Sequence, residues 1–143
     1  MNARLALLGA MLALVAAGGR AATESPAAGT AQGVYSAAQA DAGAQVYAGR
    51  CAVCHGADLS GTWEIPALRG RFVGNWGRTP LAKLYDYLGH AMPQFAPGTL
   101  EPPDNVAVIA FLLRENGAPA GGRPLPADRA ALERIVLDPV TPH

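Results

Sequence analysis

The residues best suited to chemistry are two cysteines and the histidine after the second, in Cys51-Ala-Val-Cys54-His55. Two thiols at positions i and i+3 lie on one side of a helical turn, where both can add to the vinyl groups on one edge of a porphyrin. A histidine directly after them brings an imidazole to the iron. The spacing therefore predicts one covalently attached haem c, with Cys51 and Cys54 as the links and His55 as an axial ligand.

Two alternatives use the same three residues. A thioredoxin-like dithiol is expected in a βαβ context, and no strand-like alternation occurs over residues 40–70. A structural zinc site takes four protein ligands, and this motif offers three.

The expected second axial ligand is Met92, because the other two methionines fall within residues 1–22. A thioether is a soft ligand that raises the reduction potential of haem iron. The rival readings are His90, the distant His143, an open iron, or a methionine that merely fills the core.

Three further residues are candidates for supporting roles. The carbonyl of Pro66 would accept the other ring N–H of His55, the usual way of orienting a ligating histidine; a plain turn proline is the alternative. Trp76 would reach a haem propionate through its indole N–H, a role that Arg78 could take by charge, and either side chain could equally serve only packing or solvation.

The N-terminus has the layout of a secretory signal peptide, predicted over residues 1–22: Arg4, an apolar run over 5–17, then small residues. An uncleaved anchor is the alternative, but the run is short for a membrane span. Cleavage would leave a net charge of −2, too small to indicate nucleic-acid or membrane-surface binding. We expect export to the periplasm, followed by a flexible linker over 23–34.

The first helix is predicted over 37–50, with Ser36 as N-cap and Gln39 completing a capping box. Gly43 within it indicates a close approach by another helix, with simple helical irregularity as the alternative. The last helix should run from Pro102 to Asn116 and cross the first one near Gly43.

Between these helices, residues 56–77 lack periodicity and are expected to form a loop against the haem. A further helix should begin at Thr79 as N-cap with Pro80 at N1, and end at Gly89. Beyond the last long helix, residues 128–137 predict a short helix capped by Asp128.

With these residues in view, the chain resembles a class I cytochrome c over about residues 35–125. It is most similar to the small cytochromes and haem domains that accompany quinoprotein (PQQ-dependent) alcohol dehydrogenases. The residues that carry the resemblance are Gln39, Gly43, Tyr47, Cys51-Ala-Val-Cys-His-Gly56, Pro66-Ala-Leu-Arg-Gly70, Phe72, Trp76, Met92-Pro93, Pro97-Gly-Thr-Leu100 and Ile109 through Gly121. The family's polar cap and tyrosine near the start of the last helix are replaced by Glu-Pro-Pro-Asp-Asn at 101–105.

The resemblance implies an all-α class I cytochrome c fold, with crossed N- and C-terminal helices around one covalent haem. The domain would cover 35–126, with a C-terminal extension over 127–143. It also implies axial ligands His55 and Met92, and Pro66 as the carbonyl partner of His55.

The implied function is periplasmic electron transfer by a monohaem carrier rather than catalysis. The donor would be a quinoprotein dehydrogenase, and the acceptor would lie toward a terminal oxidase. The alternative is a haem enzyme or gas-binding sensor in which Met92 is displaceable.

Overall fold

The computed structural model describes residues 28–139, so the predicted signal peptide, residues 23–27 of the predicted linker, and His143 lie outside the described part. Helices dominate it, and none of those in residues 28–139 is long and apolar enough to cross a membrane. The elements in chain order are β1 (Ala28–Gly29), a 3-10 turn (Thr30–Gln32), α1 (Ala37–Arg50), α2 (Ala52–His55), α3 (Arg71–Trp76), α4 (Leu81–Ala91), α5 (Pro102–Glu115), α6 (Arg129–Glu133) and β2 (Ile135–Val136).

The crossing of α1 and α5 is confirmed, and Gly43 lies at the point of contact. A Cβ atom on Gly43 would come within 1.9 Å of the carbonyl oxygen of Ala107, so only glycine allows the two backbones to approach this closely. One turn further along, the rings of Tyr47 and Phe111 pack with centroids 5.0 Å apart. The all-α fold predicted from the sequence is therefore present, with a core centred on α5.

The cap of α1 is present, but half of the predicted capping box is not. The Ser36 hydroxyl accepts a hydrogen bond from the Gln39 N–H at 3.2 Å. The Gln39 amide instead makes two hydrogen bonds to the backbone of Leu125, donating at 2.9 Å and accepting at 2.7 Å. Gln39 thereby holds the C-terminal tail against α1.

The predicted bounds of α4 are wrong at both ends. The Thr79 hydroxyl donates to the carbonyl of Trp76 at 2.6 Å rather than capping α4, which begins at Leu81. Gly89 does not end the helix, which continues to Ala91. A Cβ on Gly89 would lie 3.2 Å from the Asn105 side-chain nitrogen, so this glycine makes room for α5.

The region 56–77 is not entirely loop, because Arg71–Trp76 form α3. Glycines inside and beside this helix hide its periodicity in the sequence. Phe72 and Val73 are buried and anchor α3 to the core.

The prediction of a flexible linker up to residue 34 is wrong for the part that the structure describes. β1 pairs in parallel with β2, at the other end of the chain. Thr30 is buried, and its hydroxyl accepts from the Asp138 N–H at 2.9 Å. The Asp138 carboxylate in turn accepts from the Ala31 N–H at 2.7 Å. Residues 28–34 therefore belong to the folded unit.

The C-terminal helix is shorter than predicted. Asp128 caps α6 by accepting from the Ala131 N–H at 2.7 Å, as expected, but the helix ends at Glu133 and β2 follows. Leu132 and Leu137 are both buried in the main core. Residues 128–137 therefore pack as part of the domain.

We predict opposite effects for two glycine substitutions in α1. Gly43→Ala should lower the free energy of unfolding by at least ~1–3 kcal/mol, because its methyl group overlaps the Ala107 carbonyl. Gly49→Ala, with no atom within 4 Å of its Cβ, should raise it by roughly 0.5–1 kcal/mol. Urea unfolding followed by circular dichroism measures both. Equal effects would contradict the close helix crossing.

Candidate functional site

A cavity of about 410 Å³ lies beneath α5, and most of its lining is apolar. Elements from across the sequence contribute to it. The lining residues are Tyr47, Arg50, Cys51, Cys54, His55, Ile65, Pro66, Ala67, Leu68, Phe72, Asn75, Trp76, Leu84, Tyr87, Leu88, Met92, Pro93, Gln94, Phe95, Leu100, Val108 and Leu112. Of the six residues predicted as site residues, all six line this one cavity.

The cysteines and the histidine share a single helical turn. Cys51 is the N-cap of α2, and its carbonyl accepts from the N–H groups of Cys54 at 3.1 Å and His55 at 2.9 Å. Both cysteines are free thiols, and Cys54 is exposed while Cys51 is partly buried. This placement presents both sulfurs and the imidazole to the same cavity.

The electrostatics of Cys51 disfavour the dithiol alternative. Burial raises the pKa of its thiol to about 11, with Arg50 opposing the shift and Cys54 adding to it. A redox-active dithiol depends on a thiol whose pKa is lowered, so that the thiolate is present near neutral pH. At Cys51 the neutral thiol is favoured instead.

His55 is buried and held by the backbone. Its Nδ1 lies 3.0 Å from the carbonyl oxygen of Pro66. Because a carbonyl only accepts, Nδ1 carries the proton, and Nε2 keeps a lone pair for a metal. The predicted contact between His55 and Pro66 is therefore confirmed.

Met92 follows α4 directly and lines the cavity, whereas its rival His90 does not. His90 is exposed, and its Nδ1 hydrogen-bonds to the Asp86 carbonyl at 2.8 Å. Pro93 is buried and fixes the start of the loop that follows. Of the two, the structure brings only Met92 into the site.

Trp76 lines the cavity at the end of α3, with its ring 5.4 Å from that of Tyr87. Arg78, the alternative, is exposed and is not part of the lining. A hydrogen bond from the Trp76 indole to a propionate stays a prediction.

Sequence reasoning missed the roles of two lining residues, Tyr47 and Arg50. The Tyr47 hydroxyl donates to the Gly56 carbonyl at 2.7 Å, and burial raises its pKa to about 12, so it stays a neutral donor. Arg50 reaches the backbone carbonyl of Thr99 at 3.2 Å, which links α1 to the loop after Met92. The sequence offered one signal for Arg50, which directly precedes Cys51 and must therefore lie close to the attachment site.

These residues fit a haem. The lining is mostly apolar, as a porphyrin requires, and carries one formal charge at neutral pH, that of Arg50. Its donors are two thiols, an imidazole with a free nitrogen, and a thioether, the ligand set of a c-type haem with methionine ligation. Cys51 and Cys54 would hold the porphyrin, and His55 and Met92 its iron.

Comparison with protein-family models agrees with a haem at this site. The family model described as "Cytochrome C oxidase, cbb3-type, subunit III" matches residues 38–112, just over half of the chain. Comparison with curated proteins gives no match.

Among solved structures, the chain is similar to the "Crystal Structure of the Sulfane Dehydrogenase SoxCD from Paracoccus pantotrophus", with 23% identity and a TM-score of 0.48. The similarity covers 76% of this chain and 62% of that chain, so this protein spans less than two thirds of the chain it matches. From the family match, the chain belongs to the family described as cytochrome c oxidase, cbb3-type, subunit III, and it is a cytochrome c domain that carries covalently bound haem c.

Proposed function

We propose that this protein is an exported, periplasmic monohaem electron carrier. It accepts electrons from a quinoprotein dehydrogenase and passes them toward a terminal oxidase. The observation that carries the proposal is the meeting of Cys51, Cys54, His55 and Met92 in one mostly apolar cavity.

The ligand set favours electron transfer over catalysis. A haem bound in this cavity supplies an iron that cycles between Fe(II) and Fe(III). With His55 and Met92 on the iron, no axial position remains for oxygen or a substrate. The hydrogen bond from His55 to Pro66 keeps the imidazole in one orientation.

The partners are proposed on two grounds. The family description names an oxidase subunit, which supports an acceptor on the oxidase side. The quinoprotein donor rests on the sequence resemblance, in particular on the ending Asn-Gly-Ala-Pro-Ala-Gly at 116–121.

Within the fold, this ending makes internal contacts. The Tyr35 hydroxyl donates to the Ala118 carbonyl at 2.6 Å, and the Gly121 N–H donates to the Tyr35 carbonyl at 2.6 Å. A Cβ on Gly121 would lie 1.9 Å from the carbonyl oxygen of Gly33. The segment thus ties the end of α5 to the N-terminal segment, and contact with a donor has to be tested directly.

Export and haem attachment are tested together. Expressed with its own N-terminus and a cytochrome c maturation system, the protein should appear in the periplasmic fraction, with haem that survives denaturation. The chain with Cys51→Ala and Cys54→Ala should be exported but lose its haem on denaturation, because no thioether forms. Covalent haem in that double variant, or no haem in the native chain, would contradict the assignment.

Met92→Ala should leave the haem attached while opening one axial position. We expect the weak red absorption band of sulfur-ligated ferric iron to disappear, and the reduced protein to bind carbon monoxide. The reduction potential should fall by on the order of 0.1 V or more, since axial ligands move haem potentials over about 0.8 V.

His90→Ala is the matched control, because His90 lies two residues away and points outside the cavity. It should change neither the spectrum nor the potential. Carbon monoxide binding by the unaltered protein would instead favour the haem enzyme or gas sensor.

The donor is tested by stopped-flow mixing of the oxidised protein with a substrate-reduced quinoprotein alcohol dehydrogenase. Haem reduction should be observed at a rate that depends on dehydrogenase concentration. Dehydrogenase without its substrate is the control. If no haem reduction occurs at any salt concentration, that donor is wrong.

A further inference from the structure

Asn116, at the C-terminal end of α5, is a buried polar residue with every side-chain bond directed to backbone. Its side chain is 2% exposed. Its Nδ2 donates to the carbonyls of Leu68 and Leu112, both at 2.8 Å, and its Oδ1 accepts from the Gly70 N–H at 3.0 Å. One amide thus joins α5 to a segment 46–48 residues earlier in the chain.

The segment that Asn116 holds is the one that carries Pro66. Residues 66–70 contain no helix or strand, so side-chain contacts and isolated backbone bonds must fix their position. The Leu68 N–H donates to the Leu59 carbonyl at 2.8 Å, and the Pro66 carbonyl accepts from His55 at 3.0 Å. At the start of α3, the Gly70 carbonyl accepts from the N–H groups of Val73 at 3.1 Å and Gly74 at 3.4 Å. Asn116 supplies two further bonds, to the Leu68 carbonyl and the Gly70 N–H.

The ion pair beside this contact does not replace it. Arg69 reaches Glu115 at 2.5 Å, but 53% of the Arg69 side chain is exposed, and exposed pairs contribute little to stability. Removing the Asn116 amide would leave the Leu68 carbonyl and the Gly70 N–H, both in part-buried hydrogen bonds, without this link to α5. Losing such a bond has a cost in free energy, so the segment would be held less firmly.

We propose that Asn116 is a positioning residue for the haem-ligating histidine. By holding Leu68 and Gly70, it fixes the Pro66 carbonyl, and through that carbonyl it sets the orientation of the His55 ring. This proposal rests on the proposed function, in which His55 ligates the iron. A ligating histidine is held in place when its other ring N–H donates a hydrogen bond. Asn116 would therefore influence the iron without touching it.

Asn105, a buried asparagine on the same helix, is the control that distinguishes a positioning role of Asn116 from a purely structural one. Asn105 is 1% exposed, and its side-chain nitrogen donates to the Tyr85 carbonyl at 2.9 Å, on α4. Asn105→Ala should therefore destabilise the protein without loosening the segment 66–70.

The test compares Asn116→Ala and Asn105→Ala in the haem-loaded protein. In protein labelled with ¹⁵N-histidine, NMR measures hydrogen exchange of the His55 Nδ1–H, and voltammetry measures the reduction potential. Asn116→Ala should speed this exchange by about tenfold or more beyond its effect on global stability, and shift the potential. After the same correction for global stability, Asn105→Ala should leave the exchange rate of the His55 Nδ1–H within about twofold of that of the unaltered protein. If Asn116→Ala lowers stability but leaves both the exchange and the potential unchanged, the positioning role is overturned.

The unaltered protein supplies a second measurement in case Asn116→Ala does not fold. In sub-denaturing urea, the Gly70 N–H and the His55 Nδ1–H should become exchangeable in one common opening, because Asn116 couples them. Separate openings would overturn the coupling. If the protein carries no covalent haem, the proposed function is wrong. The same exchange experiment on that protein would still show whether the Gly70 N–H and the His55 Nδ1–H open together.

Discussion

The close contact between α1 and α5 is the constraint on which the rest of the structure depends. Gly43 lets the backbone of α1 pack against the Ala107 carbonyl, and this close contact fixes the position of the C-terminal end of α1 relative to α5. Cys51 follows that end directly, and Cys54 lies in α2. Because α5 also supplies Val108 and Leu112 to the cavity, one helix crossing places both the attachment turn and part of the wall it faces.

Around that crossing, long segments without regular structure are positioned by single polar side chains. Gln39 binds the backbone of Leu125, and Asn116 binds the backbone of residues 68 and 70. A small domain with a large apolar cofactor has few residues left for a protein core, so its loops cannot be held by packing alone. Side-chain amides suit this task because they donate and accept at once.

Residues 28–31 and 135–138 also meet on this framework. β1 pairs with β2, and Asp138 bonds to residues 30 and 31. The Leu137 carbonyl accepts from the Arg78 N–H at 2.7 Å, and its N–H donates to the Thr79 carbonyl at 3.0 Å. Leu137 therefore supports the turn between α3 and α4, beside the cavity residue Trp76.

The sequence by itself determined the site, because the chemistry of haem attachment is local: two thiols and a histidine within five residues need one helical turn. It also determined α1, through its Ser36 cap, and α5, through its apolar spacing. It singled out Met92 as a candidate ligand, because Met92 is the sole methionine after the predicted signal peptide. It did not reveal α3, the true ends of α4, or the order in residues 28–34. Glycines hide the periodicity of α3, and the start of α4 follows from a local bond between Thr79 and Trp76. The end of α4 and the order in residues 28–34 depend on partners far away in the chain, such as Asn105 against Gly89 and Asp138 against Thr30. Only the tertiary structure brings such groups together, because a hydrogen bond between distant residues leaves no periodic pattern in either segment.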